Sequence, residues 1–188
     1  MCQHLGIINI LQEYGYTYNI GIDFERLQEK FGQDYCVLFS THYFVANKID
    51  LSKYEGFVIN VNGKFDDPNE LYIISDIIMT DYSSVFFDFA NLKRPMIFYM
   101  YDLDDYKNNL RDFYLDLDEL PGPITKNEEE LEEAIKNIDE ISKKYKEKYE
   151  KFNKKFNYLD DGQATKRVIN KIFNLKDISQ EKKEVIKK

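Results

Sequence analysis

The chain has 188 residues, 43% hydrophobic and 15% aromatic, enough for one domain with a sizeable core and too few for two large ones. A formal net charge of −8 speaks against nucleic acid as a general partner. The two cysteines and two histidines are not spaced as the ligands of a zinc site are. No stretch approaches the roughly 20 apolar residues of a membrane span, and no basic signal-peptide start is present. We therefore expect a soluble, intracellular protein.

Helix-like and strand-like segments alternate in the first part of the chain. A helical pattern over residues 23–34, with Gly32 as its stop, precedes a short apolar run at residues 35–41. A second strand-like run follows at residues 56–61. Residues 68–75 are predicted as a short helix, because an aspartate and a proline at its start suit the cap and the first turn.

The alternation continues around a turn that is rich in hydroxyl and carboxylate groups. Residues 76–80 are predicted as a third strand, residues 83–92 as a helix and residues 95–100 as a fourth strand. Strands that are apolar on both faces and alternate with helices are typical of a mainly parallel sheet with helices on both sides. The sequence therefore predicts an α/β fold of the Rossmann-like kind.

Three longer helices are predicted after a break at residues 120–123. They cover residues 125–138, 142–156 and 160–173. Seven lysines and two glutamates lie within residues 141–158, and two interpretations of them stay open. In the first, the lysines contact anionic lipid headgroups or a polyanionic product. In the second, which we favour, the lysines lie in water and the aromatic face of the same helix packs on the sheet. The aromatic face consists of Tyr145, Tyr149, Phe152 and Phe156.

The turn "TDYSS", Thr80 to Ser84, follows a predicted strand and precedes a predicted helix. In open α/β sheets, ligands collect at the carboxyl ends of the strands, and a helix N-terminus offers backbone N–H groups to a phosphate. Ser83 and Ser84 would add two hydroxyl donors. The alternative is that one serine merely caps the helix, which is a common role for serine. Both interpretations stay open, and Asp76 and Asp81 are predicted to cap or orient the loop.

Two further polar residues are candidates for the same edge of the sheet. Asp88 lies one helical turn after the serines, where it suits sugar hydroxyls or a neighbouring side chain better than a phosphate; local hydrogen bonds are the alternative. His42 directly follows the strand predicted at residues 35–41, where it could donate to a phosphate or move a proton. A structural or solvent-exposed histidine is the alternative. His4 carries no such signal.

A longer pattern around the turn resembles a known family. Four segments closely resemble the CDP-glycerol glycerophosphotransferases. They are S-D-x-x-x-T-D-Y-S-S-x-x-F-D, "THYFV" before it, and "LPGPI" and "DDGQATKRV" after it. These are teichoic-acid polymerases and primases of Gram-positive bacteria. The resemblance runs from about Tyr16 to Phe173. It implies a GT-B architecture, in which this chain is similar to the C-terminal, nucleotide-donor domain.

The resemblance also implies an activity and its partners. CDP-glycerol would be the donor, and a hydroxyl of a lipid-linked glycerol-phosphate chain would attack the distal phosphorus and release CMP. The implied location is the cytoplasm, at the inner face of the membrane, with peripheral contact to anionic lipid and none to nucleic acid. No cofactor and no metal are implied, and the turn carries no Asp-x-Asp motif.

The resemblance assigns roles to six positions. The two serines would hold the diphosphate, the acid one turn later would share the donor site, and the histidine would assist phosphate transfer as the catalytic residue. Hydroxyl groups, backbone N–H groups and an imidazole can supply the alignment and charge stabilisation that phosphoryl transfer needs. The residues are Thr41, His42, Tyr43, Ser83, Ser84 and Asp88.

The chain departs from the family pattern in two respects. Ser40 stands where family members carry an arginine two positions before the histidine, and an acceptor domain is not recognisable. We expect an atypical segment at residues 1–15, a nucleotide-binding domain at residues 16–175 and a frayed tail at residues 176–188. Two alternatives stay open: a non-catalytic nucleotide-binding or interaction module, and a GT-B transferase that uses another nucleotide-sugar.

Overall fold

A six-stranded, entirely parallel sheet organises the protein. The computed structural model describes residues 3–9, 21–40, 50–104, 106 and 115–173. The order of strands across the sheet is β3-β2-β1-β4-β5-β6, and every neighbouring pair in it is parallel. The strands are β1 Gln3–Asn9, β2 Tyr35–Phe39, β3 Val58–Asn60, β4 Ile77–Thr80, β5 Met96–Tyr99 and β6 Ile124–Thr125.

Helices connect the strands and cover the sheet. No helix in the described part of the chain is long and apolar enough to cross a membrane. One-turn 3-10 helices occur at Ser52–Tyr54, Ala90–Leu92 and Leu117–Glu119. The α-helices are α1 Phe24–Phe31, α2 Pro68–Ile74, α3 Val85–Phe89, α4 Glu128–Lys136, α5 Ile138–Phe156 and α6 Ala164–Phe173.

Strands β2, β4 and β5 each contribute side chains to two separate cores, because successive residues of a strand point to opposite faces. On the first face, Val37 and Phe39 of β2 pack with residues of α1 and α4. On the second face, Leu38 packs with residues of α2, α3 and α5. Both faces are therefore buried, and the predicted Rossmann-like α/β fold with helices on both sides is confirmed.

Local capping signals set the helix boundaries where the sequence predicted them. The Asp23 carboxylate accepts the Arg26 N–H at 3.1 Å and opens α1, which ends before Gly32 as expected. Gly32 has an ordinary helical φ of −65°; a Cβ there would lie 2.5 Å from the Gln28 carbonyl oxygen, so glycine is required by space. Asp67 likewise caps α2, whose first residue is a proline.

Two strands were not predicted from the sequence. Strand β1, "QHLGIIN", lies at the centre of the sheet, although its short, mixed composition has no strand-like alternation. Strand β6 follows the break at residues 120–123 and has only two residues. Gly122 lets this segment approach β5, since a Cβ there would lie 2.1 Å from the Met96 carbonyl oxygen. The predicted boundaries near residues 15 and 175 stay predictions, because both lie outside the described residues.

The strand order reverses once, between β1 and β4. From β1 the chain proceeds outward through β2 to β3 on one side, and from β4 it proceeds through β5 to β6 on the other. Helix α1, the next described element after β1, packs on the first face of the sheet, and α3, which follows β4, packs on the second. In open α/β sheets this switch point is where ligands bind.

Candidate functional site

The turn at Thr80 to Ser84 lies at this switch point. Strand β4 ends at Thr80. In the neighbouring strands, Thr80 is paired with Asn9 at the end of β1 and with Phe98 in β5. The turn then leads into α3 at Val85. The predicted arrangement, a strand before the turn and a helix after it, is confirmed at the edge of the sheet where ligands collect.

Asp81 holds the turn from inside the protein. Asp81 is 2% exposed, and its carboxylate accepts the Ser83 backbone N–H at 3.2 Å. Such a contact between an aspartate and a backbone N–H two residues later is the usual way in which aspartate stabilises a turn. The prediction that Asp81 orients the loop is therefore confirmed. The hydroxyl of Thr80, 1% exposed, has no hydrogen-bond partner among the described residues.

Ser84 is the N-cap residue of α3, but its side chain makes no capping hydrogen bond. It is exposed, and Ser83 beside it is half-buried. Capping therefore does not account for the Ser84 hydroxyl, which leaves it available to a ligand. Helix α3 has five residues, followed by one 3-10 turn, and is shorter than the predicted 83–92 helix. A short helix has a weak dipole, so individual N–H and O–H donors dominate here.

Asp88 is exposed on α3, one turn after Ser84; its backbone carbonyl accepts the Ala90 N–H, and its carboxylate makes no hydrogen bond to any described residue. Its carboxylate influences Tyr72 of α2: burial raises the pKa of this phenol to about 12, and the charge of Asp88 adds to the effect. The charge of Asp88 thus acts on the Tyr72 phenol, and its predicted place in the donor site stays a prediction.

Thr41, His42 and Tyr43 lie outside the described residues, as does the rest of 41–49. The structure describes the strand that leads to them: β2 ends at Phe39, two strands away from β4 in the sheet. Both strands are parallel, so Ser40 and the turn leave the same edge of the sheet. The predicted proximity of the imidazole to the two serines stays a prediction.

A group of tyrosines borders the turn and was not predicted as part of the site. The Tyr82 hydroxyl donates to the Asp102 carboxylate at 2.8 Å, which ties the turn to the segment after β5. The rings of Tyr82 and Tyr106 stack with centroids 3.7 Å apart and planes 14° apart. Tyrosines at positions 99, 101 and 106, spaced around the end of β5, are the sequence signal that could have indicated this group.

The Tyr82 and Tyr101 phenols are neutral at physiological pH, because their pKa values are raised. Burial, together with the Asp102 hydrogen bond, raises the pKa of Tyr82 well above its ordinary value of 10. Burial, with the charge of Asp102, does the same for Tyr101. The Tyr101 hydroxyl has no hydrogen-bond partner in the part of the chain that the structure describes. The turn is thus backed by uncharged aromatic groups, and the described residues contain no group of side chains able to hold a metal ion.

The parallel sheet, with helices on both faces and a hydroxyl-rich turn at its switch point, defines a Rossmann-like α/β domain. The family model "CDP-Glycerol:Poly(glycerophosphate) glycerophosphotransferase" matches residues 8–174. This chain therefore belongs to that family, as its sequence motifs predicted.

Curated relatives agree with the family assignment. The chain is 46% identical over 164 residues to the teichoic acid glycerol-phosphate transferase of Staphylococcus aureus, covering 87% of this chain and 41% of the relative. It is 43% identical over 159 residues to the teichoic acid poly(glycerol phosphate) polymerase of Bacillus subtilis, covering 84% and 21%. A poly(ribitol-phosphate) polymerase of Bacillus spizizenii is 38% identical over 154 residues, covering 80% and 24%. The chain thus spans less than half of these relatives.

Solved structures show the same relationship. The wall teichoic acid polymerase TagF superposes with a TM-score of 0.82 at 37% identity, covering 96% of this chain and 44% of that one. A TagF variant soaked with CDPG gives a TM-score of 0.78 at 37% identity, with 96% and 43% covered. The predicted likeness to half of a GT-B-like transferase is confirmed.

Proposed function

We propose that this chain is the donor-binding domain of a glycerophosphotransferase that takes glycerol phosphate from CDP-glycerol and releases CMP. One observation carries the proposal: the turn with Ser83 and Ser84 lies at the switch point of a parallel sheet in a chain of this family. In this proposal the acceptor is a lipid-linked glycerol-phosphate chain, so the protein works at the inner face of the membrane. A poly(glycerol phosphate) polymerase and a glycerol-phosphate transferase among its relatives support this choice of substrate.

The turn suits a diphosphate because it offers donors and keeps its carboxylates apart. The half-buried Ser83 and exposed Ser84 provide hydroxyls, and the first turn of α3 provides backbone N–H groups. Asp81 is buried under the turn and accepts its N–H, which holds the loop in shape. Asp88 lies one turn further along the helix, where we propose that it meets hydroxyl groups of the donor.

The transfer itself needs a base and an anion-stabilising group. In the proposal, an acceptor hydroxyl attacks the distal phosphorus, a new P–O bond forms, and the P–O bond to CMP breaks. His42 takes up the proton of the hydroxyl or donates to a phosphate oxygen. His42 follows β2 in the sequence, and β2 ends at the same edge of the sheet as β4, where the turn begins, which supports this role. Thr41 and Tyr43 flank it and are proposed to contact the donor.

Titration with CMP tests donor binding directly. A ligand present at about 100 times its Kd stabilises a protein by about 2.7 kcal/mol, so CMP and CDP-glycerol should each raise the melting temperature. The double variant Ser83→Ala/Ser84→Ala should lose about tenfold or more in affinity, since each hydroxyl donates to a charged group. The control is Ser52→Ala, which removes an exposed hydroxyl before β3. No shift with either ligand, or equal loss in the control, would contradict the proposal.

Ser40 favours a second candidate function. The family arginine at this position would place a cation near a diphosphate, and serine offers none, so donor affinity should be about 1–3 kcal/mol weaker. The alternative is a module that binds nucleotide weakly and catalyses nothing. Incorporation of labelled CDP-glycerol into a lipid acceptor separates the two, because such a module gives none. The variant Ser40→Arg should strengthen CMP binding under either function.

A further inference from the structure

A cleft of about 410 Å³ lies at the opposite edge of the sheet from the serine turn. It is lined by residues 93–96, which lead into β5, by Pro121 before β6, and by one side of α5 from Ile141 to Asn153. Helix α5 begins beside the first core, with Ile138 and Ile141, and ends in the second core, with Phe152. It thus passes the amino ends of β5 and β6, and the cleft lies beneath it.

The cleft carries positive charge in an acidic protein. Lys93, Arg94 and Lys146 line it together with Glu150, although the whole chain has a net charge of −8. None of these three cations forms an ion pair with any described carboxylate. The Arg94 guanidinium instead donates to the carbonyl oxygens of Ile73 and Ser75, at 2.7 and 2.6 Å. Its charge is therefore not neutralised, and the cleft favours an anion.

Two buried polar atoms of the cleft residues lack partners. The Tyr149 hydroxyl and the Asn153 Oδ1 atom make no hydrogen bond within the described residues, although Asn153 Nδ2 donates to the Ala90 carbonyl oxygen at 2.9 Å. Burial raises the pKa of Tyr149, and the nearby Arg94 backbone N–H opposes this without completing a hydrogen bond. Buried polar atoms are normally paired, and leaving one unpaired destabilises the protein. A ligand with hydroxyl groups could satisfy both.

The cleft is separate from the candidate donor site. Residues 93–96 precede β5, whereas the serine turn follows the carboxyl end of the neighbouring β4. Four to five residues of strand separate the two edges, a distance of roughly 15 Å at about 3.3 Å per residue. A single nucleotide diphosphate at the turn would not fill the cleft as well.

We propose that this cleft is a second substrate site that binds a phosphodiester-linked polyol chain. Phosphates of the chain lie at Lys93 and Lys146, its hydroxyls reach Tyr149 and Asn153, and its carbon atoms contact the apolar wall that includes Pro95. This assignment rests on the proposed function, because that function makes such a chain the acceptor and the product. A second contact along the chain raises the effective concentration of its reactive end at the donor site.

Binding of poly(glycerol phosphate) oligomers of defined length tests the site. The double variant Lys93→Glu/Lys146→Glu should lose about tenfold or more in affinity. The matched control, Lys151→Glu/Lys154→Glu, makes the same change in net charge. Both of its lysines are exposed on α5 outside the cleft, so its oligomer affinity should fall less than about twofold. Equal loss in both variants would show general charge attraction and overturn the proposal.

A substitution at Tyr149 that leaves the net charge unchanged distinguishes a contact with the ligand from a structural role of this residue. Tyr149→Phe removes the unpaired hydroxyl, so the melting temperature of the free protein should hold or rise while oligomer affinity falls severalfold. An unchanged affinity would overturn the contact with Tyr149.

Two further measurements show whether the ligand is a polymer or a lipid, and whether a negative result contradicts the second site alone or the proposed function as well. Vesicles containing phosphatidylglycerol present the same phosphoglycerol group on a lipid; binding of vesicles without binding of oligomers would overturn the assignment to a polymer. CMP titration of the same samples reports on the serine turn. If CMP binds and oligomers do not, the second site is wrong and donor binding stands; if neither binds, the proposed function fails with it.

Discussion

Helices α4 and α6 have similar amphipathic sequences and opposite surroundings. Helix α4 buries Leu131, Ala134 and Ile135 against the first face of the sheet, and Leu131 is 1% exposed. Helix α6 buries no residue, and its Ile172 is 66% exposed. The difference shows that an apolar stripe along a helix does not by itself ensure that the stripe is buried. The stripe alone predicts a helix, and the contact decides its stability.

The largest effect is expected at the centre of α4. Leu131→Ala removes a fully buried side chain and leaves a cavity in the first core, which should cost about 2–5 kcal/mol of unfolding free energy. Urea unfolding followed by circular dichroism measures the loss. A cost below about 1 kcal/mol would mean that α4 is not packed on the sheet as described.

A smaller effect is expected where α4 is tied to α1. Glu132 is nearly buried and accepts hydrogen bonds from Arg26 and Lys30, more than 100 residues away in the chain. Glu132→Gln keeps the shape and removes the charge, and should cost about 1–2 kcal/mol, between the values for surface pairs and fully buried ones. The control is Glu129→Gln, which affects a far more exposed partner of the same arginine and should cost less.

The same carboxylate predicts a pH dependence. Burial by itself would raise the pKa of Glu132, but the hydrogen bonds from Arg26 and Lys30 outweigh it and lower the pKa below 4.5. Because the folded pKa is depressed, this stabilisation is present above about pH 4.5 and is lost as the pH falls through the folded value. The difference in melting temperature between wild type and Glu132→Gln should therefore shrink from pH 7 to pH 3. A constant difference would exclude a role for the charge.

A cap at the start of α4 should matter less than the buried carboxylate. The Asn127 side chain accepts the Glu130 N–H at 2.9 Å, and the Glu130 carboxylate accepts the Lys126 N–H in return. Asn127→Ala should cost about 1 kcal/mol, and Asn127→Ser should restore most of it. Thermal unfolding of both variants checks this, and an equal loss in both would point to a role other than capping.

The smallest effect is expected on α6. Ile172→Ala changes an exposed side chain, so the unfolding free energy should change by no more than about 0.5 kcal/mol. If the loss instead exceeded about 1.5 kcal/mol, α6 would be covered in solution, and its contrast with α4 would disappear. Analytical ultracentrifugation at the same concentration would show whether a second copy covers it.

Most helices and four strands were predictable because their signals are local. The caps at Asp23, Asp67 and Asn127 precede helices at the expected positions, and the apolar runs of β2 and β5 have strand length. The packing of Tyr149 and Phe152 on the second face was also predicted, as were the exposed lysines of α5. Tyr145 and Phe156, predicted for the same aromatic face, are not part of this core: Tyr145 lines the cleft, and Phe156 is 36% exposed. Strands β1 and β6 were missed because pairing with neighbours, and not composition, makes them strands.

The candidate site was predictable in part. The turn with Ser83 and Ser84 was identified from strand, serine and helix in sequence, and the role of Asp81 in holding it followed. The aromatic group around Tyr82 was not, because its hydrogen bond to Asp102 and its stacking on Tyr106 join residues of two different loops.

Sequence alone determined most of the helices, four of the six strands and the family that the chain resembles, because caps, periodicity and motifs are properties of neighbours along the chain. Tertiary structure decided the central place of β1, the switch point beside β4, the burial of α4 but not α6, and the basic cleft under α5. Those features depend on the order in which strands pair and on contacts between residues up to 106 positions apart, as between Arg26 and Glu132. Such contacts leave no local pattern to read.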